Sequence, residues 1–347
     1  MYKRRQSREV TVGNVKIGGN NPISIQSMTN TKTSNINETI EQIRSLENIG
    51  CEIIRVAVKD TNDANAIKTI VKNINIPLVA DIHFDYKLAL LSIENGAHKI
   101  RINPGNMPTE HIKAIVEKCK EKNIPIRVGV NSGSLSKDII EKFGVTAQGM
   151  IEEAKREIKL LEELDFYNIV LSLKATNIQT FIDANILASS IFDYPLHIGL
   201  TESGTVLGGN IRSSYAIGTL LEKGIGDTIR VSLTGNPINE IYSAKEILKI
   251  FNKYNGPTLI SCPTCGRCEY DMDKIIKEIE PFLFTINKKI TVAIMGCIVN
   301  GVGEGKEADL GIAGGKNNAV LFKKGEIIKR IDENNLIEEL KKAILEY

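Results

Sequence analysis

The stretch Lys99–Asn131, KIRINPGNMPTEHIKAIVEKCKEKNIPIRVGVN, holds one complete repeat of the fold. KIRINPG, from Lys99, and PIRVGVN, from Pro125, are short runs rich in Ile and Val, the composition of buried strands. Between them Ile112, Ile115, Val116 and Cys119 fall at i, i+3, i+4 and i+7, the stripe of an amphipathic helix. Strand, helix, strand is the unit of parallel α/β architecture.

The same alternation extends in both directions. ISIQSMT from Ile23, EIIRVAV from Glu52 and PLVADIH from Pro77 precede this unit, and NIVLSLKA from Asn168, PLHIGLTE from Pro195 and TIRVSLTG from Thr228 follow it. Ile151, Ala154, Ile158, Leu161 and Leu164 form another helical stripe. Eight strands alternating with helices over about 250 residues predict a (β/α)8 TIM barrel, here spanning 1–255. An open doubly wound sheet shares the alternation, but no glycine-rich dinucleotide fingerprint follows the first strand.

Side chains alternate faces along a strand. Arg55 therefore shares a face with Ile53 and Ala57, Lys99 with Arg101 and Asn103, and Arg127 with Gly129 and Asn131. Ser172 pairs with Lys174, and Arg230 with Ser232. The opposite faces are aliphatic and suit packing against outer helices, so the polar set is expected to point into the barrel mouth. Cations gathered in a narrow cavity repel, and each costs several kcal/mol to desolvate if unpaired. Asp81 and Glu202 offset part of the charge. An anionic ligand accounts for the remainder, since Arg forks and Lys ammonium groups suit phosphate oxygens; internal salt bridges at strand ends are the plainer alternative.

Composition narrows the function. Of 347 residues 42% are hydrophobic, which supports a packed core, and the formal net charge of +2 without a long basic run excludes an extended nucleic-acid footprint. No apolar stretch approaches the roughly 18 residues of a membrane span. The basic start, MYKRRQSREV, lacks the apolar region of a signal peptide. A cytoplasmic location is expected, where thiols stay reduced and clustered cysteines point to metal or catalysis.

Asn255, Gly256 and Pro257 interrupt the pattern and open a second, smaller α/β domain over 256–347. It reads as a short strand, CPTCGRC, a helix to about Phe284, the apolar strand ITVAIMGC, a glycine-rich loop NGVGEG, further strands and a final helix. Cys262 and Cys265 form a CxxC, a spacing shared by zinc, dithiol and iron–sulfur chemistry. Cys297 ends an apolar strand, with Glu304 seven residues later. Glycines beside a thiolate let backbone approach a bulky inorganic group and leave amides to donate to its sulfides. Cys51 and Cys119 read as small buried hydrophobes. Cys268 is open between fourth ligand and bystander in the first turn of the following helix. His98 and His111 read as surface residues, whereas His83 and His197 lie in strands and face the mouth.

The motifs QSMTNT, RVAV, ADIHF, KIRINPGN, IRVGVNSGSL, LSLKAT, GLTESG, GIGDTIRVSLT, SCPTCGR and GCIVNGVGE occur in this order over nearly the whole chain. Together they resemble the bacterial 4-hydroxy-3-methylbut-2-en-1-yl diphosphate synthases, flavodoxin- or ferredoxin-dependent enzymes of the non-mevalonate isoprenoid pathway. The resemblance implies a [4Fe–4S] oxidoreductase that reductively opens 2-C-methyl-D-erythritol 2,4-cyclodiphosphate and eliminates water. It implies cluster ligands Cys262, Cys265, Cys297 and Glu304, with Cys268 a bystander and Val302 standing where the usual NGPGE loop has proline. It also implies diphosphate contacts from Arg55, Arg101, Arg127, Lys174 and Arg230, with Asn103, Asn131 and Ser232 as hydrogen-bond partners. Glu202 matches an acidic residue of proton transfer, and Asp81 and His83 are weaker candidates for the same mouth. In the family the cluster domain of one subunit caps the barrel of its partner, so a homodimer is implied.

Two other readings compete. A non-redox barrel synthase, pterin-type for example, with a structural zinc domain explains an anion site but leaves Glu304 without a role. A cluster-bearing electron carrier leaves the barrel cations unexplained. The CxxxCxxC of radical-SAM enzymes is absent from the sequence.

Overall fold

A computed structural model describes residues 3–315 and 318–347. The chain divides into two compact units, Met1–Lys253 and Tyr254–Tyr347. Among the described residues, no helix is long and apolar enough to cross a membrane.

The first unit opens with a hairpin, β1 (Val10–Val12) and β2 (Val15–Ile17), paired antiparallel with Val10 opposite Ile17. Eight parallel strands follow. They are β3 (Ser24–Met28), β4 (Ile53–Ala57), β5 (Leu78–Asp81), β6 (Lys99–Ile102), β7 (Ile126–Asn131), β8 (Ile169–Lys174), β9 (His197–Ile198) and β10 (Thr228–Ile229). Their order is β8-β7-β6-β5-β4-β3-β10-β9. A parallel bridge between Leu171 of β8 and Leu196, just before β9, joins the two ends of this order, so the sheet closes as a TIM barrel. Every strand expected from the sequence is present, each within its expected run.

Register places the inward faces. Arg55 pairs with Val79, Val79 with Lys99, Asp81 with Arg101, and Arg101 with Arg127. Arg127 then pairs with Val170, Gly129 with Ser172, and Asn131 with Lys174. The alternate residues Ile54, Val56, Ile100, Ile102, Val128 and Val130 are buried on the outer face, where the helices lie. The helix Thr109–Lys122 turns Ile112, Ile115, Val116 and Cys119 inward, as its stripe requires. The helix Ala147–Glu162 buries Ile151, Ala154, Ile158 and Leu161, whereas Leu164 lies beyond its end. Cys51 and Cys119 are both buried, and burial pushes the Cys51 thiol up to about 12.

The hairpin was not anticipated. Val10, Val12 and Ile17 cluster with Ile53, Val79 and Val170, the inward residues nearest the strand N-termini, and close that end of the barrel with an apolar plug. Complete burial of each such side chain contributes about 1.5–3 kcal/mol before entropy is counted. Gly13, at φ +58, supplies the positive φ that a tight hairpin turn needs.

The second unit is a five-stranded mixed sheet in the order β11-β12-β13-β14-β15. The strands are β11 (Thr258–Ser261), β12 (Thr291–Met295), β13 (Leu310–Gly315), β14 (Asn318–Lys323) and β15 (Glu326–Asp332). β11, β12 and β13 are parallel, and β13, β14 and β15 antiparallel. The helices Met272–Phe284 and Leu336–Glu346 bury Ile275, Ile279, Leu283, Leu336, Leu340 and Ile344 against Val292, Ile294 and Ile312 on one face. On the other, Ile298 and Val302 of the helix Ile298–Glu304 pack with Ala293, Met295, Ala313 and Phe322.

Candidate functional site

The C-terminal half of the barrel interior is cationic. Arg55, Arg101, Arg127 and Lys174 are buried, and Arg230 lies on β10's inward row two residues beyond Thr228. Asp81 lies 3.3 Å from Arg101, 3.9 Å from Arg55 and 3.6 Å from His83. Burial acts to raise the Asp81 carboxyl, but Arg55, the His83 hydrogen bond, Arg101 and Arg127 hold it well below the usual carboxylate range. Arg101 also reaches the neighbouring strand β7, donating to the Gly129 carbonyl at 3.4 Å. Arg55 donates to Met28 Sδ at 2.9 Å.

The second counter-charge is not the expected one. Glu202, the expected partner in that offset, is exposed in the loop beyond β9 and accepts from Thr176 Oγ1 at 3.2 Å. Buried Glu240, in the first turn of the helix Ile238–Ile250, pairs with Arg230 at 3.1 Å and accepts from Ser27 Oγ at 2.8 Å and Leu233 N at 3.1 Å. Arg230 is therefore satisfied internally, as the salt-bridge alternative requires for that one residue. Sequence reasoning passed over Glu240 because an acidic residue in a helix's first turn ordinarily serves the helix dipole in solvent.

Arg127 and Lys99 have no such relief among the described residues. Arg127 is 1% exposed, and among the described residues its Nε and Nη1 have no partner; neither has the Nζ of fully buried Lys99. Burial, followed by repulsion from neighbouring cations, drives Arg127, Lys99 and Lys174 well below their ordinary values. Arg55 is pushed down to about 10 by burial, against the attraction of Asp81. His197 was expected at the mouth. It is instead fully enclosed inside the barrel, with both ring nitrogens unpartnered among the described residues, and burial pushes it well below its ordinary value.

Asn103 is buried at the end of β6's inward row, and its Oδ1 has no partner among the described residues. Asn131 ends β7, and Ser232 follows β10, its carbonyl accepting from Ser203 Oγ. Glu202 has φ +53, a left-handed backbone unusual for a residue with a side chain. Such strain persists where surrounding structure imposes it and clusters at working sites.

In the second unit, parallel pairing of β11 and β12 brings Cys262 beside Met295 and Gly296, and Cys262 N donates to Ile294 O at 3.3 Å. The Gly296 amide donates to Cys262 Sγ at 3.1 Å, and a Cβ on Gly296 would sit 3.5 Å from that sulfur and 3.1 Å from Cys268 Sγ. Cys265 is exposed, its thiol lowered chiefly by the Arg267 backbone amide. Cys297 caps the helix Ile298–Glu304.

Two local expectations are corrected. NGVGE is not an open loop: it lies within that helix, with Gly301 N bonded to Cys297 O at 2.9 Å. Gly301 permits close packing there, since its Cβ would meet Met295 Cβ at 2.7 Å. Glu304, exposed at the helix's last position, follows Cys297 by a rise of about 10 Å. Cys268 is not in the next helix, which begins at Met272; it sits in the preceding turn and donates to Tyr270 O at 3.3 Å. Among the described residues no three His, Cys, Asp or Glu side chains converge tightly enough to hold a single metal ion. A polynuclear group is wider than an ion. The thiol donors, the amide aimed at Cys262 sulfur and the space kept by Gly296 fit such a group.

A TIM barrel with a cationic interior, followed by a mixed α/β unit bearing cysteines at two strand ends, defines a two-part class of protein. The chain belongs to the GcpE family: residues 7–245 match its TIM-barrel domain and 258–346 its C-terminal domain. It is 56% identical over 344 residues to the 4-hydroxy-3-methylbut-2-en-1-yl diphosphate synthase (flavodoxin) of Clostridium perfringens, covering 98% of this chain and 99% of that one. The protein of that name from Fusobacterium nucleatum is 53% identical, covering 99% and 98%. Among solved structures, Stenotrophomonas maltophilia dihydropteroate synthase aligns at TM-score 0.53 and 13% identity, covering 71% of this chain and 97% of that one. The Leptospira borgpetersenii N-acetylneuraminic acid synthetase aligns at 0.51 and 14%, covering 80% and 97%. At such identities these two share the barrel fold alone.

Proposed function

We propose that this chain reductively opens 2-C-methyl-D-erythritol 2,4-cyclodiphosphate to 4-hydroxy-3-methylbut-2-enyl diphosphate, with flavodoxin or ferredoxin as electron donor. Two electrons and two protons enter and one water leaves. The observation that carries this reading is the excess of buried cations over Asp81 and Glu240, above all Arg127 and Lys99 with unpartnered nitrogens. A diphosphate supplies the charge and the acceptors that these groups lack.

Arg55, Arg101, Arg127, Lys174 and Arg230 hold the diphosphate, with Arg230 pre-set by Glu240. Asn103, Asn131 and Ser232 donate hydrogen bonds that fix its orientation. Glu202, presented by its left-handed backbone, holds the proton for the departing oxygen. Cys262, Cys265, Cys297 and Glu304 hold a [4Fe–4S] cluster. When bound, that group supplies single electrons and, at an iron held by the weaker carboxylate ligand, Lewis acidity. A cytoplasmic homodimer, in which the cluster of one subunit serves the barrel of its partner, completes the proposal.

The test is iron and acid-labile sulfide analysis with EPR on anaerobically purified protein, together with turnover of the cyclic diphosphate. Cys297→Ser is expected to lose the cluster and Cys268→Ser to retain it. Stoichiometric zinc without sulfide would sink the redox reading.

A further inference from the structure

Behind Asn103, two carboxyl groups stand one turn apart on the helix Ala147–Glu162, both buried. Each braces a loop. Glu153 Oε2 accepts from Ser136 N at 2.8 Å and Ser136 Oγ at 2.5 Å, fastening the segment after Asn131. Glu157 Oε1 accepts from Gly105 N at 3.4 Å, fastening the turn after Asn103. The three acceptors converge at one point. A Cβ built on Gly105 would lie 3.0 Å from Glu157 Oε1, 3.4 Å from Asn103 Oδ1 and 3.4 Å from Glu153 Oε1. Asn103 Oδ1 and Glu157 Oε2 are both buried without a partner among the described residues.

Buried acceptors facing one another need a donor between them. Glu153 Oε2 already receives two donors. Glu157 is the more deeply buried, at 1% exposed against 3%, and receives only one long bond. The missing proton belongs on Glu157.

We infer that Glu157 is a positioning residue for the substrate: its carboxylic acid donates to Asn103 Oδ1 and so turns the Asn103 amide nitrogen toward the barrel interior. This rests on the reading of that interior as the diphosphate site. An amide presented this way donates to a phosphate oxygen; turned over, it would offer the phosphate a repelling carbonyl. Ionisation of Glu157 removes the donor and places two carboxylates side by side. Burial, then Glu153, raises the Glu157 carboxyl to about 8; the Gly105 amide, Arg101 and Arg156 act in the opposite direction. Those charged groups, with Glu153, face it from its own helix and from β6. The orienting bond is present below about pH 8 and is lost above it.

The test is steady-state kinetics of the reconstituted holoenzyme on the cyclic diphosphate from pH 6.5 to 9.5. In wild type, KM is expected to rise about tenfold above pH 8, the loss of one orienting hydrogen bond to a charged ligand, while kcat changes less. Glu157→Gln, a permanent donor, is expected to keep the low KM and flatten its rise with pH. Glu157→Met, with no donor, is expected to show the raised KM already at pH 7. A Glu157→Gln profile that follows wild type, or an unchanged KM in Glu157→Met, would overturn the inference. If Glu157→Met does not fold, the comparison of wild type with Glu157→Gln decides alone. Absence of wild-type turnover would instead remove the diphosphate reading, and this inference with it.

Discussion

Arg101 and Gly129 are fitted to one another inside the barrel. A Cβ added at Gly129 would lie 2.7 Å from Arg101 Nε and 3.1 Å from Nη2. Strand register makes the two inward neighbours, and the bare glycine leaves the space that the guanidinium fills. Gly129→Ala is expected to displace Arg101, disturb its pairing with Asp81 and raise KM for the cyclic diphosphate about tenfold or more. Steady-state kinetics check this, with a melting curve to confirm that the variant is folded.

Arg127→Met is expected to separate binding from stability. The guanidinium is enclosed with two unpartnered nitrogens, so an apolar side chain of similar length should raise stability by about 1–2 kcal/mol. Inorganic diphosphate should raise the melting temperature of wild type and have little effect on the variant. Thermal melts with and without diphosphate, supported by urea titration, measure both effects. A destabilised variant would mean that Arg127 is better satisfied than the structure indicates.

Asp81→Asn is expected to be destabilising, by about 3 kcal/mol at pH 7, because it strands Arg55 and Arg101. The pH dependence follows from the sign of the shift. The folded-state value is depressed, so the ionised carboxylate stabilises the fold above its unfolded value of about 3.9, and that stabilisation is lost as pH falls below it. Urea titrations at pH 7 and pH 3.5 should show the gap between variant and wild type narrowing at the lower pH.

On the proposed cluster reading, Gly296→Ala is expected to lower iron and sulfide content. The added methyl would press on Cys268 and Cys262 sulfurs at 3.1 and 3.5 Å. The apo fold should survive, since Cys268 lies in a turn that can shift. Metal analysis after anaerobic reconstitution, compared with circular dichroism of the apo protein, distinguishes loss of the cluster from loss of the fold.

The barrel was legible because its eight strands announce themselves by composition and its inward polar residues by period-two spacing. Arg55, Arg101, Arg127 and Lys174 stand where that spacing predicts. Glu240 was invisible for the opposite reason: no local pattern distinguishes a helix-start carboxylate in solvent from one folded back onto Arg230. The hairpin could have been found, since VTVGNVKI alternates about a Gly-Asn turn, but its short strands sat beside a conspicuous basic run. NGVGE looked like a loop because glycine disfavours helices. Its glycines instead let a short helix lie close on the sheet, a contact that only the tertiary structure reveals.

The apolar plug of Val10, Val12 and Ile17 has a consequence for traffic. A barrel stoppered at one end is a cul-de-sac. Whatever enters it must back out the way it came, so product departure and the arrival of the next molecule compete for a single doorway.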